Sequence, residues 1–520
     1  MTRHVLVVGN GMAGARLAEE VRHRDPDAAH FSVTVVGEEP HAAYNRVLLS
    51  TVVAGGITPR DTRLKPDGWW AARHIEVLSG ARVTAADVAA RTATLTVTDE
   101  RRGTTTRSVE WDELVLATGS TSFVPPIAGL YAGEPATGGH LADDVVAFRT
   151  VDDCHVIVAA AERATTAVVV GGGLLGLEAA RGLLARGLTV TVVHPRDVPM
   201  ERQLDPDGGA VLARVLRGVG ARLVLGQHVV ARHPATADEP AHVVLTDGTT
   251  LLADLVVVAA GVRPRTDLAR AMGVDVERGV VVDDTLATSS PHVHAIGECA
   301  QHRGQVPGLV QPGWDQARVL ADVLTGADPS ATYEGTSLLT RLKAHDIDLA
   351  SMGTVDVDVH DPGHEVLAFT DPSRGRYAKL VLRQDRLVGA ILLGVGDAAG
   401  ALTQLYDTGA VVPRDRLSLM LGRAITRSGG AESVNLAEMP GAAVICRCNT
   451  VTKAGLVAAF RAGADSVPAL AEATRATTGC GSCRGAVDGL CSWLRSSEPT
   501  TSISSPSAVP APAALTEGAA

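Results

Sequence analysis

Gly9-x-Gly11-x-x-Gly14 and Gly171-x-Gly173-x-x-Gly176 set the same spacing twice, each after an apolar run (Val5 to Val8, Ala167 to Val170) and before a helix of small residues. Glycines so placed permit a tight strand-to-helix turn, let backbone N–H groups reach a pyrophosphate at the helix N-terminus, and bring helix and sheet close. A glycine triplet alone is also compatible with a tight βα turn that holds nothing. The first copy has more: the next strand, Ser32 to Val36, leads to Glu38, an acid placed to accept ribose hydroxyls. In the second copy the strand Thr189 to Val193 ends at His194, where no carboxylate stands. Arg196 offers a cation for a 2′-phosphate or is an ordinary exposed charge.

Two such units exceed one core, and 520 residues predict three or four domains. With 54 glycines and 3% aromatics the chain reads as α/β with many tight turns. The buried runs Leu114 to Ala117 and Leu255 to Ala260 end at Thr118-Gly119 and Gly261, natural crossover points between the two folds. From Tyr333 the pattern turns strand-like, over Val366 to Thr370, Tyr377 to Leu382 and Arg386 to Leu393, which predicts a smaller α+β domain. Beyond Arg495 the Ser, Thr, Pro and Ala tract has little to bury and is expected to be disordered. A formal charge of −11 argues against a nucleic-acid partner. The absence of a long apolar stretch argues against a membrane span, and the short first apolar run against a signal peptide, so a cytoplasmic protein is expected.

Five of seven cysteines crowd the end of the sequence. Cys446-x-Cys448 and Cys480-x-x-Cys483 flank thirty-one residues, in which Thr452 and Ser466 are helix start signals and Gly463 a stop. Short helices there would converge the two pairs. Four thiolates suit a [2Fe-2S] cluster or a structural zinc, and the spacing leaves both open. Cys491 is left over, while Cys154 and Cys299 read as isolated buried thiols.

The order of the first fingerprint, Ala117-Thr118-Gly119, the second fingerprint and His294-Ala295-Ile296-Gly297-Glu298 resembles the two-dinucleotide-domain flavoprotein reductases. That resemblance implies FAD at Gly9, Gly11, Gly14, Glu38, Thr118, Gly119, Gly297 and Glu298, with Glu298 on the flavin ribityl chain, and NAD(P)H at Gly171, Gly173 and Gly176. Outside it, Glu298 is simply a turn carboxylate. The segments Tyr44 to Ser50, Met200 to Asp205 and Gly297 to Ala300 look like the N-terminal half of assimilatory NAD(P)H nitrite reductases. The related electron-transfer subunits of assimilatory nitrate reductase share them.

By that likeness Arg46 stands beside the flavin, Trp314 shields the isoalloxazine or its nicotinamide partner, and Glu178 lies near the nicotinamide. The plain alternatives are packing for Arg46 and Trp314 and a helix-dipole carboxylate for Glu178. No cysteine pair lies between Tyr44 and Gly55, where the disulfide-reductase branch keeps its redox pair. Cys446 to Trp493 resembles the bacterioferritin-associated-ferredoxin type of [2Fe-2S] domain, which tips the metal choice to iron.

The implied layout is a first part of an FAD-binding domain at 1–125, an NAD(P)H-binding domain at 143–262 and a second FAD-binding part at 263–330. An α+β reductase domain at 333–425, a helical [2Fe-2S] domain at 443–495 and the tail 496–520 follow. No siroheme region with four further cysteines follows the cluster motif, so the expected electron acceptor is a separate assimilatory nitrate reductase catalytic subunit or siroheme nitrite reductase. A stand-alone rubredoxin or ferredoxin reductase and an iron-store interaction protein are the alternatives.

Overall fold

The computed structural model describes residues 2–99, 103–133, 139–344, 347–420, 439–446, 451–477 and 483–497. It forms two units, Met1–Ser433 and Val434–Ala520. No described helix is long and apolar enough to cross a membrane.

Two parallel five-stranded sheets organise the first unit. In the first, Arg3–Val8 lies between Phe31–Gly37 and Glu113–Leu116, with Val5 opposite Val33 on one side and Glu113 on the other. Ile75–Ser79 and Val293–Ala295 form the edges. These strands are Val-rich and buried on both faces, as a parallel sheet covered by helices requires. One edge strand thus comes from after the whole second sheet, and so does the helix Val310–Thr325, whose Gly313 would place a Cβ 3.3 Å from that of Ala13 on the helix Met12–Arg24.

The second sheet runs Val145–Ala147, Leu255–Val258, Thr166–Val170, Thr189–His194 and Arg222–Leu225 in spatial order, all parallel. A short antiparallel ribbon pairs Ser120–Ser122 with Val262–Pro264, so the chain leaves and re-enters the first fold side by side.

The third layer is a five-stranded antiparallel sheet, Leu339–Ala344, Ile347–Gly353, Arg386–Leu393, Arg376–Arg383 and Glu365–Asp371, backed by the helix Gly396–Thr408. Leu349, Tyr377, Ile391 and Leu393 pack with Met200, Leu204 and Leu212 of the second fold, so one sheet face is used as an anchor. The three expected strands in this region are present, each within a residue of its predicted ends. Residues 421–425 of the expected domain lie outside the described residues.

The second unit carries the strands Val444–Cys446 and Val451–Thr452 and the helices Lys453–Arg461, Val467–Thr474 and Arg484–Ser497. Thr452 and Ser466 accept the N–H groups of Gly455 (3.1 Å) and Ala469 (3.3 Å), the N-cap bonds that their residue types promise. Gly463 follows the first helix with φ +108°, a left-handed stop. The last helix continues through Ser496 and Ser497, two residues into the expected tail, and 498–520 lie outside the described residues.

Candidate functional site

Gly9 leaves its strand at φ +126°, and a Cβ there would lie 2.0 Å from the Ala117 carbonyl oxygen. A Cβ on Gly14 would lie 2.0 Å from the Gly9 oxygen, whereas one on Gly11 would meet nothing within 4 Å. Two glycines therefore close the turn against protein, and the middle one faces open space. The helix behind begins at Met12 with Gly11 as N-cap and no side-chain cap, leaving its first N–H groups for an anion.

Thr118 Oγ donates to the Arg265 carbonyl (2.8 Å), and Gly119, at φ +69°, accepts the Arg265 N–H (2.9 Å). Arg265 in turn pairs with Glu38, one residue past the strand end, with Arg82 at 3.6 Å on its other oxygen.

A second polar chain runs beside this cradle. Glu39 accepts the Tyr44 hydroxyl (2.5 Å) and pairs with Arg46, whose guanidinium lies 5.1 Å from the Tyr44 ring centroid. Burial and the Glu39 carboxylate, opposed by Arg46, push the Tyr44 phenol above its ordinary value. Arg46 also donates to the Arg149 carbonyl (3.4 Å), and the Arg149 guanidinium pairs with Glu298, which accepts the Ser120 hydroxyl as well.

Next to Glu298, Gly297 stands at φ +76° and donates to the buried Gln316 Oε1 (2.7 Å). Arg46 and Glu298, far apart in sequence, are thus linked through Arg149, with Glu39 holding Arg46 on its other side, and the sequence singled out neither Arg149 nor Glu39. Glu39 was hidden behind Glu38, and Arg149 arrives from the edge of the other fold with no local signal.

Side-chain polar atoms of Asn10, Asn45, Ser50 and Gln316, and the Arg149 Nε, are buried without a hydrogen-bond partner among the described residues. Each such orphan costs about 1–3 kcal/mol. Asn10 lies in the glycine turn, Gln316 on the helix bonded to Gly297, and Arg149 pairs with Glu298, so these orphans suit a polar cofactor that would satisfy them. With the open Gly11 face and uncapped helix, the residues present fit FAD. Trp314 is 8% exposed, and its indole N–H donates to the Met12 carbonyl (3.2 Å), locking its helix to the cradle helix.

The second cradle repeats the first. Gly171 has φ +119° and would place a Cβ 2.4 Å from the Ala259 oxygen; that of Gly176 would lie 2.0 Å from the Gly171 oxygen, and that of Gly173 meets nothing within 4 Å. The Leu174–Ala185 helix starts without a side-chain cap, so this cradle fits a second dinucleotide. Glu178 is buried on this helix, on the face where Gly182, four residues on, would put a Cβ 3.0 Å from Val53 Cγ1. That face packs on the helix Leu49–Val53 that follows Arg46.

At the strand end, His194 is not alone: its Nε2 lies 3.1 Å from Glu201 Oε2, a carboxylate the sequence spacing did not offer. Arg196 is exposed beyond the strand.

In the second unit Cys446 and Cys483 are buried among Leu456, Phe460, Leu470, Val487 and Leu490. The Thr477 N–H donates to Cys483 Sγ at 3.3 Å, the kind of N–H···S bond that stabilises a metal-bound thiolate. Cys448 and Cys480 lie outside the described residues. Cys491 is engaged elsewhere, donating to the Asp465 carbonyl and accepting from Arg495, both at 3.2 Å. The buried Cys446 and Cys483 thiols suit the thiolate donor chemistry of a [2Fe-2S] cluster. Cys154 and Cys299 are fully buried, and burial pushes the Cys154 thiol up to about 12, so neither is a reactive thiol.

Residues 3–317 match the family described as pyridine nucleotide-disulphide oxidoreductase. Residues 339–404 match the rubredoxin NAD+ reductase C-terminal domain, and 444–492 the BFD-like [2Fe-2S] binding domain. Among curated proteins, the nitrite reductase [NAD(P)H] of Bacillus subtilis (strain 168) is 35% identical over 490 residues, 94% of this chain and 57% of that protein. The assimilatory nitrate reductase electron transfer subunit of the same strain is 34% identical over 511 residues, 97% of this chain and 61% of that one. This chain therefore spans about three fifths of the length of either relative. Among solved structures, the ferredoxin reductase for the CYP199A2 system of Rhodopseudomonas palustris superposes with a TM-score of 0.68 at 28% identity, covering 81% of this chain and all of that one.

Proposed function

The chain belongs to the pyridine nucleotide-disulphide oxidoreductase family, and from that premise we propose that it oxidises NAD(P)H and delivers the electrons to a separate reductase of nitrogen oxyanions. The observation that carries this reading is the repeated cradle: two glycine turns of one geometry in one unit, joined to a chain segment of the [2Fe-2S] binding type. Bound there, FAD would supply a two-electron acceptor for the hydride of the nicotinamide, and a cluster held by the cysteines would supply one-electron transfer.

In this reading Gly9, Gly11, Gly14, Glu38, Thr118, Gly119, Gly297 and Glu298 hold FAD, Gly171, Gly173 and Gly176 hold NAD(P)H, and Arg46 stands beside the flavin. Glu178, on the face that packs toward the Arg46 segment, lies near the nicotinamide. Cys446, Cys448, Cys480 and Cys483 hold the cluster. Residues 44–55 hold no cysteine, so in this reading the electrons leave the flavin without a disulfide relay at that segment. The acceptor is an assimilatory nitrate reductase catalytic subunit or a siroheme nitrite reductase, in line with the names of the two Bacillus subtilis relatives.

Cys483→Ser tests the route. The purified variant should keep its flavin and its reduction by NAD(P)H, lose iron and acid-labile sulfide, and fail to support nitrate or nitrite reduction with the partner added. Partner turnover at the wild-type rate by a cluster-free variant would put the cluster off the pathway.

A second reading, a free-standing reductase of a small rubredoxin- or ferredoxin-type carrier, is favoured by the match at 339–404 and by the Rhodopseudomonas palustris structure. Reduction of such a carrier by wild type, lost in the Cys483→Ser variant and unaccompanied by support of nitrate or nitrite reduction, would select it.

A further inference from the structure

The two cradles differ where the second strand ends. In the first, the strand finishes at Gly37, whose missing Cβ would lie 2.6 Å from Asn10 Cβ in the glycine turn, and Glu38 follows. In the second the pair is exchanged: the turn residue is Gly172, and its missing Cβ would lie 2.8 Å from the ring of His194 on the strand. The imidazole thus fills the room at the strand end, and a carboxylate has to arrive from further along the chain.

It does. Met200, at φ +55°, turns the chain back and donates its N–H to the Gly172 carbonyl at 3.0 Å. The next residue, Glu201, brings Oε2 to 3.1 Å from His194 Nε2. His194 Nδ1 accepts the Gly172 N–H at 3.1 Å, so the ring proton sits on Nε2 and is donated to Glu201. The carboxylate is therefore fixed to the glycine turn by a two-bond relay, with its side chain 34% exposed.

We infer that Glu201, oriented by His194, accepts the adenosine ribose hydroxyls of NADH at the second cradle and disfavours NADPH. The inference rests on the reading that this cradle holds NAD(P)H. A carboxylate accepts both hydroxyls of a ribose and repels a 2′-phosphate. Arg196, the cation that would favour NADPH, is exposed outside the relay, with its carbonyl accepting the Gly226 N–H at 3.0 Å.

The test is calorimetric titration of NAD+ and NADP+ into the flavin-loaded full chain, with KM for NADH and NADPH measured in parallel using an artificial dye. Glu201→Gln keeps an acceptor for His194 and removes only the charge; Glu201→Ala removes both. Wild type should bind NAD+ more tightly than NADP+. Both variants should weaken NAD+ by about tenfold or more and narrow the ratio between the two nucleotides, with flavin content unchanged. A wild-type preference for NADP+, or a ratio untouched in both variants, would overturn the assignment of Glu201. Gly173→Val separates the underlying reading: if it leaves binding of both nucleotides intact, the cradle is not the nucleotide site and the inference falls with it.

Discussion

Asp205 is the residue whose loss should be felt furthest from where it sits. It is 8% exposed and caps the helix Pro206–Gly218 through the Gly208 N–H (2.9 Å). Its other oxygen takes the Tyr377 hydroxyl (2.6 Å) and the Lys379 ammonium (2.8 Å) from the antiparallel sheet. Lys379 is 4% exposed and Tyr377 2%, and burial together with Asp205 pushes the Tyr377 phenol above its ordinary value. Asp205→Ala removes the cap, worth about 1 kcal/mol, and strands a buried ammonium, which costs about 3–5 kcal/mol when its partner is removed.

Asp205→Asn keeps an equally good cap and loses only the charge, so it should recover about 1 kcal/mol of that loss. Pairing Asp205→Ala with Lys379→Met should recover more, because no uncompensated charge then remains. The assay is denaturant unfolding of five proteins (wild type, Asp205→Ala, Asp205→Asn, Lys379→Met and the Asp205→Ala/Lys379→Met double variant) followed by tyrosine and tryptophan fluorescence, with the coupling energy taken from the double-mutant cycle of Asp205→Ala and Lys379→Met. A coupling below about 0.5 kcal/mol would refute the claim that this buried pair joins the antiparallel sheet to the second nucleotide fold.

The glycine cradles make a paired prediction. Gly9→Ala, which drives a Cβ into the Ala117 carbonyl, should yield little folded protein, whereas Gly11→Val, which points into open space, should fold and fail to retain FAD; flavin absorbance and melting temperature tell the two apart. Gly173→Val should leave flavin in place and raise KM for the nicotinamide nucleotide, and loss of flavin instead would mean that the two cradles have been assigned in reverse. At acid pH, Glu113 is the group to watch. Its burial alone would raise its pKa, but hydrogen bonds from His294 and His292 and the charges of His294 and Arg3 hold it down to about 2. A depressed carboxylate contributes stability that is present above its ordinary value of 4.5 and lost as pH falls toward about 2. Glu113→Gln should therefore show a shallower loss of stability than wild type over that window, and an unchanged acid limb would refute the assignment.

What the sequence made legible was local. The glycine turns, the buried strands and the caps at Thr452 and Ser466 each depend on residues within a few positions of one another, and each was found where spacing put it. Contacts that close over long separations left little trace. Glu201 lies seven residues past His194 and reaches it only because Met200 adopts a left-handed turn that no Gly or Asn announces. Arg149 meets Glu298 across 149 positions, and Asp205 meets Lys379 across 174. Trp314 is ambiguous in sequence because an indole serves as either a shield or a wedge, and its bond to the Met12 carbonyl, which fixes it against the cradle helix, is compatible with both.

These long contacts also give the antiparallel sheet a purpose that its own sequence does not state. The segment Met200 to Asp205 is held at one end by the Met200 bond to the glycine turn and at the other by Asp205 on Tyr377 and Lys379. Between them, the Gln203 carbonyl accepts the Ser351 hydroxyl at 2.6 Å, and Leu204 is buried with Leu349 and Ile391. Glu201 therefore sits on a strap tied at both ends, one to the cradle and one to the sheet. A surface loop left free would spend its binding energy on being ordered; this one is ordered before any nucleotide arrives. On that logic, weakening the sheet contact, as in Ser351→Ala, should loosen the nicotinamide nucleotide without touching flavin retention, although Ser351 lies on neither cradle.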